Sequence, residues 1–190
     1  HHGAALAKAN LPSKSIAYLI YEADNIAAGT DRRRDEGGEE SKRFDKAIPL
    51  ESIFNQLKGK CPENKKRYHY LRGLIEHEKI NYGIAKKEAT VRASTDVYSN
   101  ILNTLKENFR KVDFQSVSPA EMLKIMEATC SFVPSSTALD EACDISLYDH
   151  VKLTAAIANA MYLYFAEQGL SNYRQLCFDQ KALEIRTKDM

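Results

Sequence analysis

The 190-residue chain has no tryptophan, little glycine or proline, and almost no net charge. With 8 Gly and 5 Pro, it is neither collagen-like nor of low complexity. A hydrophobic fraction of 44% alongside 28% charged residues excludes a disordered chain. Because 27 Lys and Arg residues face 26 Asp and Glu, the bulk charge does not indicate a nucleic-acid or membrane-surface protein. Any contact with nucleic acid must therefore come from a local patch.

Cysteine pairs and long apolar runs are also missing. The four cysteines, at positions 61, 130, 143 and 177, lie far apart without CxxC spacing, which disfavours a disulfide framework or a structural zinc site. No apolar run reaches the about 18 residues of a membrane helix, and no signal peptide is recognisable. We therefore expect a cytoplasmic protein without membrane contact. The first residue is His rather than Met, which indicates either a tag remnant or a natural start upstream.

Periodicity and capping signals predict a mostly α fold. Apolar residues at three- and four-residue spacing predict helices over about 12–28, 94–112, 118–130 and 146–168, with Gly29 and Gly169 as stops for the first and last. The last helix is apolar nearly all round, so we expect it at the centre of the domain. Pro and Gly break up residues 47–92, where minor strand content is expected, with another short strand near 182–186.

The chain length predicts one domain over 1–190. Within it, residues 30–46 are charged, contain Gly37-Gly38 and predict a mobile surface loop. Residues 58–72 are locally basic with Tyr68 and Tyr70 interleaved. This strip is either a nucleic-acid contact or an ordinary solvated loop.

Histidine and aspartate residues are the main candidates for chemistry, since no Gly-rich phosphate loop or nucleophile elbow is present. His150 begins the last helix and is either a metal ligand or a core residue. Asp24 lies among apolar residues and is either a buried, paired carboxylate or a helix-edge residue facing water. His1 and His2 precede the first helix and are either site residues or a tag remnant. Together these groups could bind Mn²⁺, Ni²⁺ or Fe²⁺ and activate water for attack on a phosphodiester.

Two segments resemble a known family. Residues 16–29 (IAYLIYEADNIAAG), followed by DRR at 31–33, match a segment of the large subunit of type III-A CRISPR effector complexes, the Csm complexes. Residues 132–137 (FVPSST) and 144–158 (DISLYDHVKLTAAIA) match a second. The two segments bracket residues 16–158 in the family's order, whereas residues 47–115 add little.

This resemblance implies an HD-superfamily nuclease domain with a circularly permuted motif order, at the N-terminus of that subunit. In the permuted order His150 corresponds to the first His ligand and Asp24 to the final Asp, with His1 or His2 as a further ligand or proton donor. Arg32 and Arg33 would contact phosphate, although a helix-end salt bridge is the alternative. The family's palm domains, which make cyclic oligoadenylates from ATP, would lie beyond this chain, and residues 182–190 would start the linker to them.

One departure from the family pattern limits what this chain can do. No His is followed by Asp, so the family's His-Asp dipeptide is missing, and we expect it on N-terminal helices absent from this chain. The resemblance therefore implies part of a metal-dependent single-stranded DNA nuclease, inactive or nearly so by itself.

Two alternatives remain open. One is a non-catalytic helical scaffold that docks other subunits of the complex, which would bind CRISPR RNA and target RNA. The other, an unrelated helical regulatory domain, requires the motif match to be coincidence.

Overall fold

The computed structural model describes residues 2–31, 44–57, 61–74, 82–138 and 142–179. These residues form seven α-helices, two short 3-10 turns and a two-stranded sheet. The prediction of a mostly α fold with minor strand content between 47 and 92 is confirmed, and the helical architecture is consistent with an HD-type domain. The strand expected near 182–186 and most of the predicted loop at 30–46 lie outside the described residues.

The elements follow one another along the chain with short connections. They are α1 (His2–Lys8), α2 (Ala17–Asp31), β1 (Leu50–Glu51), β2 (Tyr68–His69), α3 (Lys86–Val91), α4 (Thr95–Arg110), α5 (Pro119–Cys130), α6 (Leu147–Glu167) and α7 (Tyr173–Cys177), with 3-10 turns at Ile53–Gln56 and Glu63–Lys65. The chain divides into two compact units, of which the first comprises His1–Asp31 and Val151–Met190 and the second Arg32–His150.

The core of the first unit is built from α2, α6 and α7. Its buried side chains are Tyr18, Leu19, Phe165, Tyr173 and Cys177. The Tyr18 hydroxyl donates a hydrogen bond to the carbonyl of Leu11 at 3.3 Å, so this buried polar group is satisfied. The backbone N–H of Arg174 donates to the carbonyl of Ser13 at 2.9 Å, which ties α7 to the chain preceding α2.

The ends of α2 differ from the sequence prediction. The helix begins at Ala17 because residues before it form a turn, in which the N–H of Ser15 donates to the carbonyl of Pro12 at 2.9 Å. The prediction that Gly29 ends the helix is wrong, since α2 continues to Asp31. Glycine tolerates helical dihedrals at modest cost, and the Thr30 hydroxyl donates to the carbonyl of Ala27 at 2.7 Å in the last turn.

Helix α6 ends as predicted but is not central. Gly169 adopts φ +67°, and the N–H of Leu170 donates to the carbonyl of Phe165 at 2.8 Å, which closes the helix end. Phe165 is the one buried side chain of this fully described helix, whereas Leu163 and Tyr164 are each 58% exposed. The predicted central position is therefore wrong for this chain, because α6 packs into the core through Met161 and Phe165.

The sheet of the second unit is held by backbone pairing and one asparagine. Strands β1 and β2 are antiparallel, with Leu50 opposite His69. The Asn55 side chain donates to the carbonyl of Arg67 and accepts from its N–H, both at 2.9 Å. Gly83 is at φ +108°, and a Cβ there would lie 2.8 Å from the Cβ of Arg67, so only glycine fits this close approach.

Helices α4 and α5 of the second unit pack on each other and carry the caps expected from the sequence. The Ser94 hydroxyl accepts from the N–H of Val97 at 3.4 Å. Ser118 and Glu121 form a reciprocal capping box, with Pro119 at the first helical position. These local signals predicted both starts because each involves residues within one turn.

None of the helices in the described part of the chain combines the length and hydropathy that crossing a bilayer requires.

Candidate functional site

Asp24 lies halfway along α2 and is half-buried. Its side chain lines a groove of about 500 Å³ between α1 and α2. The other lining residues are Ala5, Leu6, Ala9, Ala17, Ile20 and Tyr21. The groove is thus apolar apart from this carboxylate and the Tyr21 hydroxyl. Its depth puts Asp24 between the two alternatives stated from the sequence, neither fully buried nor fully in water.

The more deeply buried carboxylate of α2 is Glu22, which is 5% exposed. Glu22 follows Tyr18 by four residues and therefore lies on the same helix face, which is turned toward the core. The sequence interpretation attributed burial to Asp24 and overlooked Glu22, although the spacing from Tyr18 could have indicated it.

The start of α1 approaches the face of α2 that carries Asp24. Helix α1 begins at His2 and packs on α2. A Cβ placed on Gly3 would lie 2.8 Å from the Tyr21 hydroxyl oxygen, so the two helices are in close contact there. Tyr21 precedes Asp24 by three residues and shares its helix face. The backbone of His2 is thus directed to this region, as expected from the sequence, while its side chain and His1 lie outside the described residues.

His150 lies in the first turn of α6, which is fixed by a buried cap. The Ser146 hydroxyl accepts from the N–H of Asp149 at 3.0 Å and donates to its carboxylate at 2.8 Å. The N–H of His150 donates to the carbonyl of Ser146 at 3.0 Å. This cap sets the direction in which the half-buried His150 leaves the helix.

Asp24 and His150 belong to different compact units, and their convergence on one metal ion stays a prediction. Both have the donor chemistry that transition metals accept. Among the described residues, however, no group of three or more His, Cys, Asp and Glu side chains is placed to hold an ion. The described residues alone therefore do not form a complete metal site. Arg32 and Arg33, the predicted phosphate contacts, lie outside the described part of the chain.

Part of the basic strip predicted at 58–72 has a structural role. Lys66 contacts the carboxylates of Glu51 at 3.3 Å and Glu63 at 3.2 Å. Burial lowers the pKa of Lys66, but the hydrogen bonds and charges of these two carboxylates outweigh burial and raise it overall. Tyr68 is 4% exposed and donates to Glu63, and burial together with the nearby negative charges raises its pKa. This half of the strip is consequently paired within the fold.

The other half of the strip contains His69, Tyr70 and Arg72. The Cζ atom of Arg72 lies 5.1 Å from the Tyr70 ring centroid and 4.5 Å from that of Phe132. Burial, with a smaller contribution from the Arg72 charge, lowers the pKa of His69. Phe132 was not recognised as part of this group because it is distant in sequence.

Comparison with known proteins identifies relatives over almost all of the chain, although no family model matches it. A protein of Enterococcus italicus named CRISPR system single-strand-specific deoxyribonuclease Cas10/Csm1 (subtype III-A) is 38% identical over 184 residues, which are 94% of this chain and 23% of the relative. Proteins of the same name from Mycobacterium tuberculosis and Streptococcus thermophilus are each 34% identical, over 95% and 94% of this chain. The chain spans 22–23% of the length of these relatives. It therefore belongs to the Cas10/Csm1 family, the large subunit of type III-A CRISPR effector complexes.

Proposed function

We propose that this chain is part of the metal-dependent single-stranded DNA nuclease domain of a type III-A CRISPR effector subunit. The names of three relatives, single-strand-specific deoxyribonucleases at 34–38% identity, support the substrate and the reaction. The complete subunit would act in the cytoplasm with the other Csm subunits, CRISPR RNA and target RNA. Its palm domains would make cyclic oligoadenylates from ATP. The chain by itself would be inactive or nearly so, since it lacks the His-Asp dipeptide.

In this proposal Asp24 and His150 are metal ligands, and His1 or His2 is a further ligand or proton donor. Arg32 and Arg33 contact the phosphate of the substrate. A divalent ion such as Mn²⁺ or Ni²⁺, when bound, supplies an activated water and stabilises the negative charge that develops on the phosphate. Because the described residues do not complete a ligand set, the remaining ligands have to come from outside them.

The observation that carries the proposal is the position of Asp24. A carboxylate in an apolar groove favours a cationic partner, because burial without one costs free energy. The start of α1, with His2, is directed to the same helix face through the contact of Gly3 with Tyr21. The groove thus has an oxygen donor with an imidazole-bearing segment beside it.

Substitution of Asp24 and His150 in the full-length protein tests these roles. Asp24→Asn keeps the size of the side chain but removes its charge, and His150→Ala removes the imidazole. We expect each to lower Mn²⁺-dependent cleavage of single-stranded DNA by more than about 100-fold, since loss of outer-shell partners alone costs about 10–100-fold. Metal content, measured by mass spectrometry of the purified protein, should fall in parallel.

Asp113→Asn is the matched control. Asp113 is an exposed carboxylate in the α4–α5 connection, bonded to Ser116 at 2.7 Å. Its loss should leave both cleavage and metal content unchanged. Unchanged cleavage by His150→Ala would remove His150 from the mechanism, and unchanged metal content in both site variants would refute the ligand assignment.

A non-catalytic scaffold is the second candidate, favoured by the absence of a three-ligand group among the described residues. A scaffold predicts normal assembly of the complex together with no metal in the full-length protein. The metal measurement therefore separates the two candidates without depending on a cleavage assay.

A further inference from the structure

Five side chains of the second unit form one stacked group, which we call the arginine–aromatic cluster: His69, Tyr70, Arg72, Arg92 and Phe132. The Cζ of Arg92 lies 4.7 Å from the Tyr70 ring centroid, and that of Arg72 lies 5.1 Å from the same ring. Arg72 also lies over Phe132 at 4.5 Å, and the rings of Phe132 and His69 are 5.1 Å apart. Two cations thus share one continuous set of aromatic faces.

Three separate segments bring the cluster together. The chain after β2 alternates, with Leu71 buried at 4% exposure and both its neighbours half-buried at the surface. The N–H of Leu74 donates to the carbonyl of Ala128 at 2.7 Å, which holds this segment against α5 and sets Arg72 over Phe132. Arg92 is the C-cap residue of α3. The backbone therefore fixes the arrangement before any ligand binds.

The cluster keeps charged groups at the surface. The Arg92 side chain is 48% exposed, and its ion pair with Glu88 at 2.8 Å is equally exposed. Arginine side chains held flat on rings keep their N–H donors at the edge, where a phosphate can reach them. The described segments 61–74 and 82–92 are otherwise rich in Lys and Arg, with Glu63 and Glu88 as their acidic residues.

We propose that the arginine–aromatic cluster is a contact site for single-stranded DNA. The guanidinium groups of Arg72 and Arg92 bind phosphates, and an unpaired base stacks on the exposed plane of Arg92. Proteins that hold single strands combine basic grooves with aromatic and arginine stacking surfaces in this way. The choice of DNA as the strand rests on the proposed function, and the cluster lies apart in sequence from Asp24 and His150.

Glu88 makes a specific prediction possible. It occupies part of the Arg92 guanidinium edge that a phosphate would use. If the cluster binds DNA, Glu88→Gln should tighten binding, because it removes both a competitor and a like charge. If the ion pair only stabilises α3, the same substitution should leave DNA binding unchanged.

The experiment measures binding of a fluorescein-labelled oligothymidylate to the full-length protein in EDTA, by anisotropy. We expect Arg92→Ala to weaken binding about ten-fold, and Glu88→Gln to tighten it, as loss and gain of one phosphate or stacking contact predict. The slope of log affinity against log salt should fall by about one in Arg92→Ala. Thermal unfolding of each variant checks that the fold is kept.

The matched controls are Arg110→Ala and Glu107→Gln. Arg110 and Glu107 form an equivalent exposed ion pair at the end of α4, without an aromatic partner for the arginine among the described residues. Neither control should change DNA affinity. Equal effects of Arg110→Ala and Arg92→Ala would overturn the proposal, because bulk charge alone would then explain both.

RNA and duplex arms complete the test. A labelled oligouridylate or a duplex whose binding depends on Arg92, when the single-stranded DNA does not, would overturn the assignment of single-stranded DNA. The test is also independent of cleavage. If Arg92→Ala leaves binding intact while Asp24→Asn abolishes cleavage, only the cluster proposal fails. If Arg92→Ala weakens binding while Asp24→Asn cleaves normally, only the nuclease site fails.

Discussion

Among single side chains, His69 has the clearest consequence for stability. Its ring packs against Phe132, and burial followed by the Arg72 charge holds its pKa below the ordinary value of about 6.5. The unfolded chain therefore binds a proton at pH values where the folded chain does not. The stabilisation from neutral His69 is complete above the ordinary pKa and is lost as the pH falls through the folded value.

We expect the free energy of unfolding in urea to decrease between about pH 7.5 and about pH 5.5, on either side of the ordinary pKa. His69→Phe should reduce this decrease, because phenylalanine keeps the ring contact with Phe132 but does not titrate. Tyrosine fluorescence can follow unfolding, since the chain has 10 Tyr and no Trp. Parallel pH profiles for the wild type and the variant would show that His69 does not contribute.

Side-chain roles were predictable from the sequence to a limited extent. Asp24 and His150 are placed on the predicted helices, and the cap of Ser146 on Asp149 was readable from four consecutive residues. The burial of Glu22 and the stacking of Arg92 on Tyr70 were not predicted. These contacts depend on which helix face meets another segment, and one local pattern does not specify that.

The helices show the same division between local and distant causes. The starts of α4, α5 and α6 fall within one or two residues of the sequence prediction, since each carries a Ser cap with partners one turn away. Helices α1, α3 and α7 were not predicted. They have 7, 6 and 5 residues and too few turns for apolar periodicity, so they depend on the segments they pack against.

Two glycines that both looked like helix stops should respond in opposite directions to alanine. Gly29 is inside α2, and nothing lies within 4 Å of an added Cβ. Gly29→Ala should stabilise the chain by about 0.5–1 kcal/mol, through lower entropy of the unfolded state and better helix propensity. Gly169 is equally open but has φ +67°, so Gly169→Ala should destabilise by about 1–2 kcal/mol.

Urea denaturation of the two variants measures these differences, and each is the control for the other. The space around both positions is the same, so only the backbone conformation differs. Destabilisation by Gly29→Ala would mean that α2 ends at residue 29 in solution, as the sequence alone had indicated.

For the chain as a whole, the predicted mostly helical class was recoverable from composition and periodicity, whereas the division into two compact units was not. The first unit joins His1–Asp31 to Val151–Met190, which are separated by the entire second unit. Contacts between such distant segments leave no periodic signal. Helix α6 looked central because it is apolar on several sides, yet pattern alone does not show which sides are covered in this chain.

The two units should lose protection against hydrogen exchange separately. Tyr18 is 1% exposed in the core of the first unit, and Tyr18→Ala should cost about 3–5 kcal/mol there, as for other large aromatic residues. We expect faster exchange in α1, α2, α7 and the part of α6 after Val151, because locally cooperative units open independently. Helices α4 and α5 should keep their wild-type rates.

Leu71→Ala is the reciprocal variant, since Leu71 is 4% exposed in the second unit. It should accelerate exchange around β1, β2 and α3, and leave α2 and α7 unchanged. The first turn of α6 belongs to the second unit, so its amides should follow Leu71→Ala rather than Tyr18→Ala. If either substitution instead accelerated exchange equally throughout the chain, the units would open as one, and α6 would be the continuous element that couples them.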